Sequence, residues 1–301
     1  MPQPAQRGGS AKSSAERAQT RTIPESFAIR VLSPGAAHRT SAAVPELFDM
    51  RLRALRRDRA ARAGPELFLF QRVFEDCVER IGLANRLFDR ALLIGCPDPR
   101  WPARLAGLAS AVDIMDPGPL FAAAAGGVEI VEDAWEPPAA AYDLVLAIGT
   151  LDTVDDLPLA LRLIRHAMKV DGLFIGAVAG GDTLPKLRAA MRSADAIAGF
   201  AAPHVHPRIE PSALAPLLDK AGFVEHVVDI DRVDVSYPSL GRLVADLRAM
   251  AATNVLTAKA PPLTRAQFAA GSRGFAQAGD GGRTIETFEL LHFAAWTPPS
   301  G

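Results

Sequence analysis

The sequence predicts an α/β chain built on an open, mostly parallel β-sheet. Three observations carry that expectation. Nearly all-apolar runs at residues 91–96, 142–149 and 172–178 have the composition of strands covered on both faces. Amphipathic stretches alternate with them, as crossover helices alternate with parallel strands. Asp116 follows Gly95 by 21 positions, and each closes a strand-like run. That interval separates a nucleotide-type turn from an acidic ribose acceptor in Rossmann-like sheets.

Each element follows from its local pattern. Residues 46–62 read as an amphipathic helix with Leu47, Phe48, Leu52 and Leu55 near one face. The six arginines between Arg51 and Arg62 are expected on a solvated face, the alternative being an acidic partner. A second helix is expected over 66–88. Strands follow at 91–96, 111–116, 128–132, 142–149 and 172–178, with helices at 101–108, 119–125 and 157–168. After Gly180-Gly181 a helix is expected over 184–198, with Thr183 as its N-cap; Asp156 has the same role before 157. A helix at 212–221 stops at Gly222. Residues 224–235 alternate as a strand, 240–252 and 264–277 read as helices, and 284–296 as a last strand. The expected division is a disordered basic tail at 1–44, N-terminal helices at 45–89 and one sheet domain at 90–298, with capping elements near 184–222 and 239–280.

Composition narrows the function classes. A net charge of −1 gives no electrostatic case for a nucleic-acid partner. Cys77 and Cys96 are the only cysteines, too few for a disulfide framework, so a reducing compartment is expected. No apolar run reaches the roughly 18 residues that a membrane span needs. The first 44 residues carry six Lys/Arg against two Glu. Read as a disordered tail they place the protein in the cytoplasm; read as a transit peptide they place it in the mitochondrial matrix.

Further along, a specific set of strings stands out. It comprises Asp171-Gly172-Leu173-Phe174-Ile175-Gly176-Ala177, Gly180-Gly181-Asp182-Thr183-Leu184, Leu187-Arg188, Pro203-His204, Tyr237-Pro238, Asp246-Leu247, Met250 and Asn254. Over residues 46–298 the chain resembles the class I SAM-dependent methyltransferase-like family that includes the mitochondrial complex I assembly factor 5, an arginine hydroxylase. The resemblance implies a seven-stranded, mostly parallel Rossmann-like sheet with a late strand returning beside the fifth. It implies S-adenosyl-L-methionine (SAM) as cofactor and a respiratory complex I subunit as partner. Four departures stand against the family pattern. Gly95-Cys96-Pro97-Asp98-Pro99 replaces a Gly-Cys-Gly-x-Gly turn, Asp152-Thr153 a His-Trp pair, Lys186 a Glu and Ala295 a Gly. Proline fixes φ and deletes an N–H, so Pro97 and Pro99 reshape the turn and remove donors to a cofactor.

The candidate cofactor residues are Gly95, Asp116, Asp133, Gly149 and Thr150. Asp116 is the ribose acceptor, with Asp113 as alternative; Glu132 rivals Asp133 for an adenine contact. Candidate substrate-facing residues are Asp152, Gly180, Gly181, Asp182, Thr183, Arg188, His204, Tyr237 and Asn254. The acidic group Asp152, Asp155 and Asp156 suits either a cationic substrate or helix capping. His204 and His206 lack an evident third ligand, so no metal is expected. Cys96 lacks a neighbouring His and is not expected to be a nucleophile. Three functional readings follow: a SAM-dependent methyltransferase-family protein with a degenerate cofactor turn, acting in complex I assembly; a protein-arginine hydroxylase on a complex I subunit; and a non-catalytic assembly chaperone with a vestigial SAM site.

Overall fold

The computed structural model describes residues 46–258 and 260–299, and seven strands in it form one sheet. The expected tail at 1–44 lies outside the described residues. In chain order the elements are α1 (Met50–Ala63), α2 (Phe68–Leu83), β1 (Phe88–Ile94), α3 (Trp101–Leu105), β2 (Ala109–Asp116), α4 (Pro119–Ala124), β3 (Val128–Glu129) and β4 (Tyr142–Ile148). They continue with α5 (Leu157–Ala167), β5 (Met168–Ala179), α6 (Pro185–Ala198), α7 (Pro211–Ala221), β6 (Val224–Tyr237), α8 (Leu240–Ala249), α9 (Arg265–Gln277) and β7 (Thr284–Trp296).

The spatial order is β3-β2-β1-β4-β5-β7-β6. The first five strands are parallel, and β7 runs antiparallel between β5 and β6. This is the class I methyltransferase architecture expected from the sequence. Strand order reverses direction between β1 and β4, and ligands of open α/β sheets collect at the carboxyl edge of that switch point.

The sheet separates two cores. On one face, β-strand residues such as Leu93, Leu146 and Ile175 pack with Phe74 and Ile81 of α2, Trp101 of α3 and Leu243 of α8. Trp101 stacks on Phe74 at 4.4 Å between ring centroids and donates to Gln71 Oε1, which ties α3 to α2. On the other face, Val145, Phe174 and Phe293 pack with Leu161 and Ile164 of α5 and Leu218 of α7. The central strand β4 is buried along its whole length, which is why its sequence shows no polar alternation.

Three local expectations are corrected. The apolar residues of α1 do not set its buried face: Leu55 is 44% exposed, whereas Arg53 and Arg57 are each 5% exposed. The face these two arginines bury meets carboxylates rather than an apolar surface. Helix α2 ends at Leu83 rather than near 88, because Asn85 turns to a left-handed φ of 49° and Phe88 already belongs to β1. Thr183 does not cap α6. The residue at that position is Leu184, at φ 63°, and the first N–H groups of the helix go to another strand. Lys186 and Leu187 donate to the Glu286 carboxylate of β7 at 3.0 and 2.7 Å. Asp156 caps α5 as expected, accepting from the Leu159 N–H at 2.8 Å.

Candidate functional site

The carboxyl edge of the sheet is covered by α1, and α1 is held there by two buried arginines. Arg57 forms a two-pronged ion pair with Asp116, the last residue of β2, through Nε at 2.7 Å and Nη2 at 2.5 Å. Asp116 also accepts the backbone N–H of Cys96 at 2.8 Å and of Gly118 at 2.7 Å. Each carboxylate oxygen thus receives two donors, which fills the lone-pair sites of the group. Arg53, one turn earlier on α1, grips Glu132 in the same way at 2.7 and 2.8 Å and donates to the Thr150 carbonyl at 2.7 Å. Glycine makes the close approach of the helix feasible: a Cβ at Gly118 would lie 2.6 Å from the Arg57 Cβ.

The turn after β1 is built inward. Gly95 takes φ 85°, and a Cβ there would lie 2.3 Å from the Ile148 carbonyl oxygen, so this glycine serves strand packing. Beyond it, Asp98 accepts the Arg100 N–H at 2.9 Å and pairs with the Arg100 guanidinium. Pro97 and Pro99 flank that Asp and contribute no N–H. Cys96 is fully buried, and its thiol is pushed up to about 12, by burial first and then by the charges of Asp116 and Asp98.

Of the remaining candidate cofactor residues, Asp133 and Gly149 are similarly engaged. Asp133 accepts the Asp156 N–H at 3.0 Å, and burial raises its carboxyl above the usual range. It is Glu132, the rival weighed at the sequence level, that meets α1. Gly149 has φ 62°, and a Cβ there would lie 2.4 Å from the Phe70 ring of α2. Thr150 is buried, and its hydroxyl has no hydrogen-bond partner.

A cavity of about 100 Å3 remains between this edge and the cap. It is lined by Phe70, Gly149, Leu184, Met250 and Phe288, and its polar lining includes Asp152 and Arg208. With both oxygens of Asp116 saturated, no ribose acceptor is open at the end of β2, and the residues as arranged do not fit SAM.

The candidate substrate-facing residues divide among four places: the inner cavity, the turn after β5, an outer groove and the core. Asp152 pairs with Arg208, and Thr183 lines the same cavity. Gly180, Gly181, Asp182 and Thr183 are stitched to other segments. Gly180 bridges to Ile209, and added Cβ atoms at Gly180 and Gly181 would meet Glu289 and Glu210. Thr183 Oγ1 donates to the Glu289 carbonyl, and Asp182 pairs with Arg232. Arg188 donates to the Gly181 carbonyl at 2.8 Å and closes this turn. His204 and Asn254 sit in an outer groove, where His204 bonds Asp195 at 2.7 Å and Asn254 donates to the Pro203 carbonyl. Tyr237 is buried in the core at the end of β6 and lines none of these cavities.

Sequence reasoning missed Arg53, Arg57 and Arg208 as site residues, and it weighed His206 only beside His204 as a possible metal pair or a packing loop histidine. His206 is buried, and its Nε2 accepts the Val255 N–H at 2.7 Å. Burial, then the charge of Arg208, pushes its imidazole down to about 4. The spacing of Arg53 and Arg57, four apart on α1, was the available signal, because it puts both on one helical face. Among the described residues, no group of three His, Cys, Asp or Glu side chains is placed to hold a metal ion. No described helix is long and apolar enough to cross a membrane.

The fold and the carboxyl-edge cleft define a protein of the class I methyltransferase architecture. No family model matches the chain. It is similar to the zebrafish (Danio rerio) mitochondrial arginine-hydroxylase NDUFAF5, with 36% identity over 161 residues, or 52% of this chain and 50% of that protein. The human protein of the same name is 34% identical over 159 residues, covering 52% and 46%. A Xylella fastidiosa malonyl-[acyl-carrier protein] O-methyltransferase is 31% identical over 163 residues, covering 54% of each chain. The chain thus spans about half the length of the curated relatives it matches. Among solved structures, the Bacillus subtilis YcgJ protein superposes with a TM-score of 0.50 at 10% identity, covering 75% of this chain and all of that one. That likeness shows the fold.

Proposed function

We propose that this chain acts by binding a partner rather than by transferring a methyl group. In this reading it is a methyltransferase-fold assembly factor whose cofactor cleft is held shut by α1. The observation that carries the reading is the saturation of Asp116 by Arg57, Cys96 and Gly118. A ribose diol would have to displace a buried, two-pronged guanidinium, and breaking such a pair leaves a buried charge uncompensated. Pro97 and Pro99 weaken the other half of a SAM site by removing N–H donors from the turn. Gly95, Asp116, Asp133, Gly149 and Thr150 then serve the fold and the closure of the cleft.

The resemblance to the complex I assembly factor supports a respiratory complex I subunit as the partner. The test is a deletion strain examined for complex I assembly and, by peptide mass spectrometry, for modification of the complex I subunits. The reading expects an assembly defect with every methyl and hydroxyl mark retained, rescued by the wild-type chain. Loss of a methyl mark would overturn it in favour of methyl transfer. The names of the NDUFAF5 relatives favour arginine hydroxylation as the second reading, and a lost oxygen mark on an arginine would establish that one.

A further inference from the structure

Outside the closed cleft, a groove of about 1,080 Å3 opens between α1, α6, α8, the start of α9 and the loop at 203–208. Five arginines line it, Arg56, Arg59, Arg208, Arg248 and Arg265, and no Asp or Glu does. Arg208 is paired with Asp152. Arg59, Arg248 and Arg265 have no ion-pair partner among the described residues, and Nη1 of Arg56 is buried without a hydrogen bond. Burial first, and then the neighbouring charge of Arg59, holds Arg56 below the usual arginine range, with Asp49 pulling the other way and Arg248 adding to the repulsion. Apolar side chains lie between the charges: Leu187, Met191, Val244, Leu263 and the exposed Phe268. A like-charged cluster with unmet donors around an apolar floor is complementary to carboxylates flanking an apolar anchor.

We propose that this groove docks an acidic segment of a partner protein, with carboxylates meeting Arg59, Arg248 and Arg265 and an apolar side chain entering beside Phe268. The proposal rests on the binding role set out above and gives its partner a chemistry. Charge argues against the chain's own first 44 residues as occupant, since they carry six Lys/Arg against two Glu. The groove shares Leu184, His206, Arg208 and Leu247 with the inner cavity, so a docked segment lies directly beside the closed cleft.

The test is fluorescence anisotropy of the full chain with a labelled peptide of Glu and Leu residues, its Gln-for-Glu counterpart, and phosphatidylglycerol vesicles as competitor. The acidic peptide is expected to bind about tenfold tighter than the neutral one, with affinity falling as salt rises. Arg59→Gln/Arg248→Gln is expected to lose about tenfold, while Arg273→Gln, exposed on α9 outside the groove, changes nothing. Thermal melts check that the variants fold, and the salt series on the wild-type chain needs no variant. Absent or equal binding of the two peptides overturns the proposal. Preferential vesicle binding overturns it in favour of a lipid surface, and self-association abolished by the double variant in favour of a second copy. Tight SAM binding would overturn the closed-cleft reading while leaving the peptide result standing.

Discussion

Arg57 of α1 and Asp116 at the tip of β2 hold each other through two hydrogen bonds of 2.7 and 2.5 Å, with both side chains buried. Helix α1 is thereby anchored on the residue that the Rossmann-like spacing assigns to a ribose. Arg53 repeats the device on Glu132. Arginine suits it, because its fork matches a carboxylate and stays charged when buried.

Removing one partner of the pair is expected to cost more than replacing both. Arg57→Ala leaves Asp116 charged in the interior and should destabilise by roughly 3–5 kcal/mol. Arg57→Met/Asp116→Asn should recover a large part of that. Urea denaturation of Arg57→Met, Asp116→Asn and the double variant measures the coupling directly. Additive costs would mean that the pair does not hold α1 in place.

Stability is expected to fall on mild acidification through His206. Its Nε2 must stay unprotonated to accept from Val255, and burial lowers its pKa to about 4. The unfolded chain, with an imidazole pKa near ~6.5, binds the proton first. The contribution is therefore fully present above about pH 6.5 and is lost as pH falls toward about 4. Denaturant midpoints across that window should drop in the wild-type chain and flatten in His206→Asn.

Both thiols are expected to be silent in the native state. Cys77 and Cys96 are fully buried, and burial raises both, Cys96 to about 12. Because the thiolate is the reactive form, an aromatic disulfide reagent should titrate neither cysteine in buffer and both in denaturant. Fast native labelling of Cys96 would show that the turn after β1 opens.

Gly149→Ala is expected to disturb the cover of the cleft. The position has φ 62°, and the new methyl would meet the Phe70 ring at 2.4 Å. Strain of this kind costs on the order of 1–3 kcal/mol, read as a lower melting temperature. Pairing it with Phe70→Leu should relieve the steric part and leave the backbone part.

Much of the fold was legible because its signals are local. The apolar runs of β1, β4 and β5 follow from burial on both faces, and Asp156 and Gly222 mark helix ends through the chemistry of one residue. The site was less legible because its contacts are distant in sequence. Asp116 was placed at the right edge, but its partner Arg57 lies 59 residues away on a helix whose leucines suggested the opposite face. Glu286 takes the first N–H groups of α6 from about 100 residues further along, so a search for a local cap pointed to Thr183 instead. Tyr237 was a substrate-facing candidate, yet β6 pairs with β7 up to that residue and carries it into the core.

The central claim is that α1 takes the position a cofactor would need, and calorimetric titration of the purified chain with SAM tests it most directly. The account predicts no binding heat at millimolar SAM for the wild-type chain or for Pro97→Gly/Pro99→Gly, and weak binding once Arg57 is replaced by alanine in that background. Micromolar binding to the wild-type chain, abolished by Asp116→Ala, would contradict it.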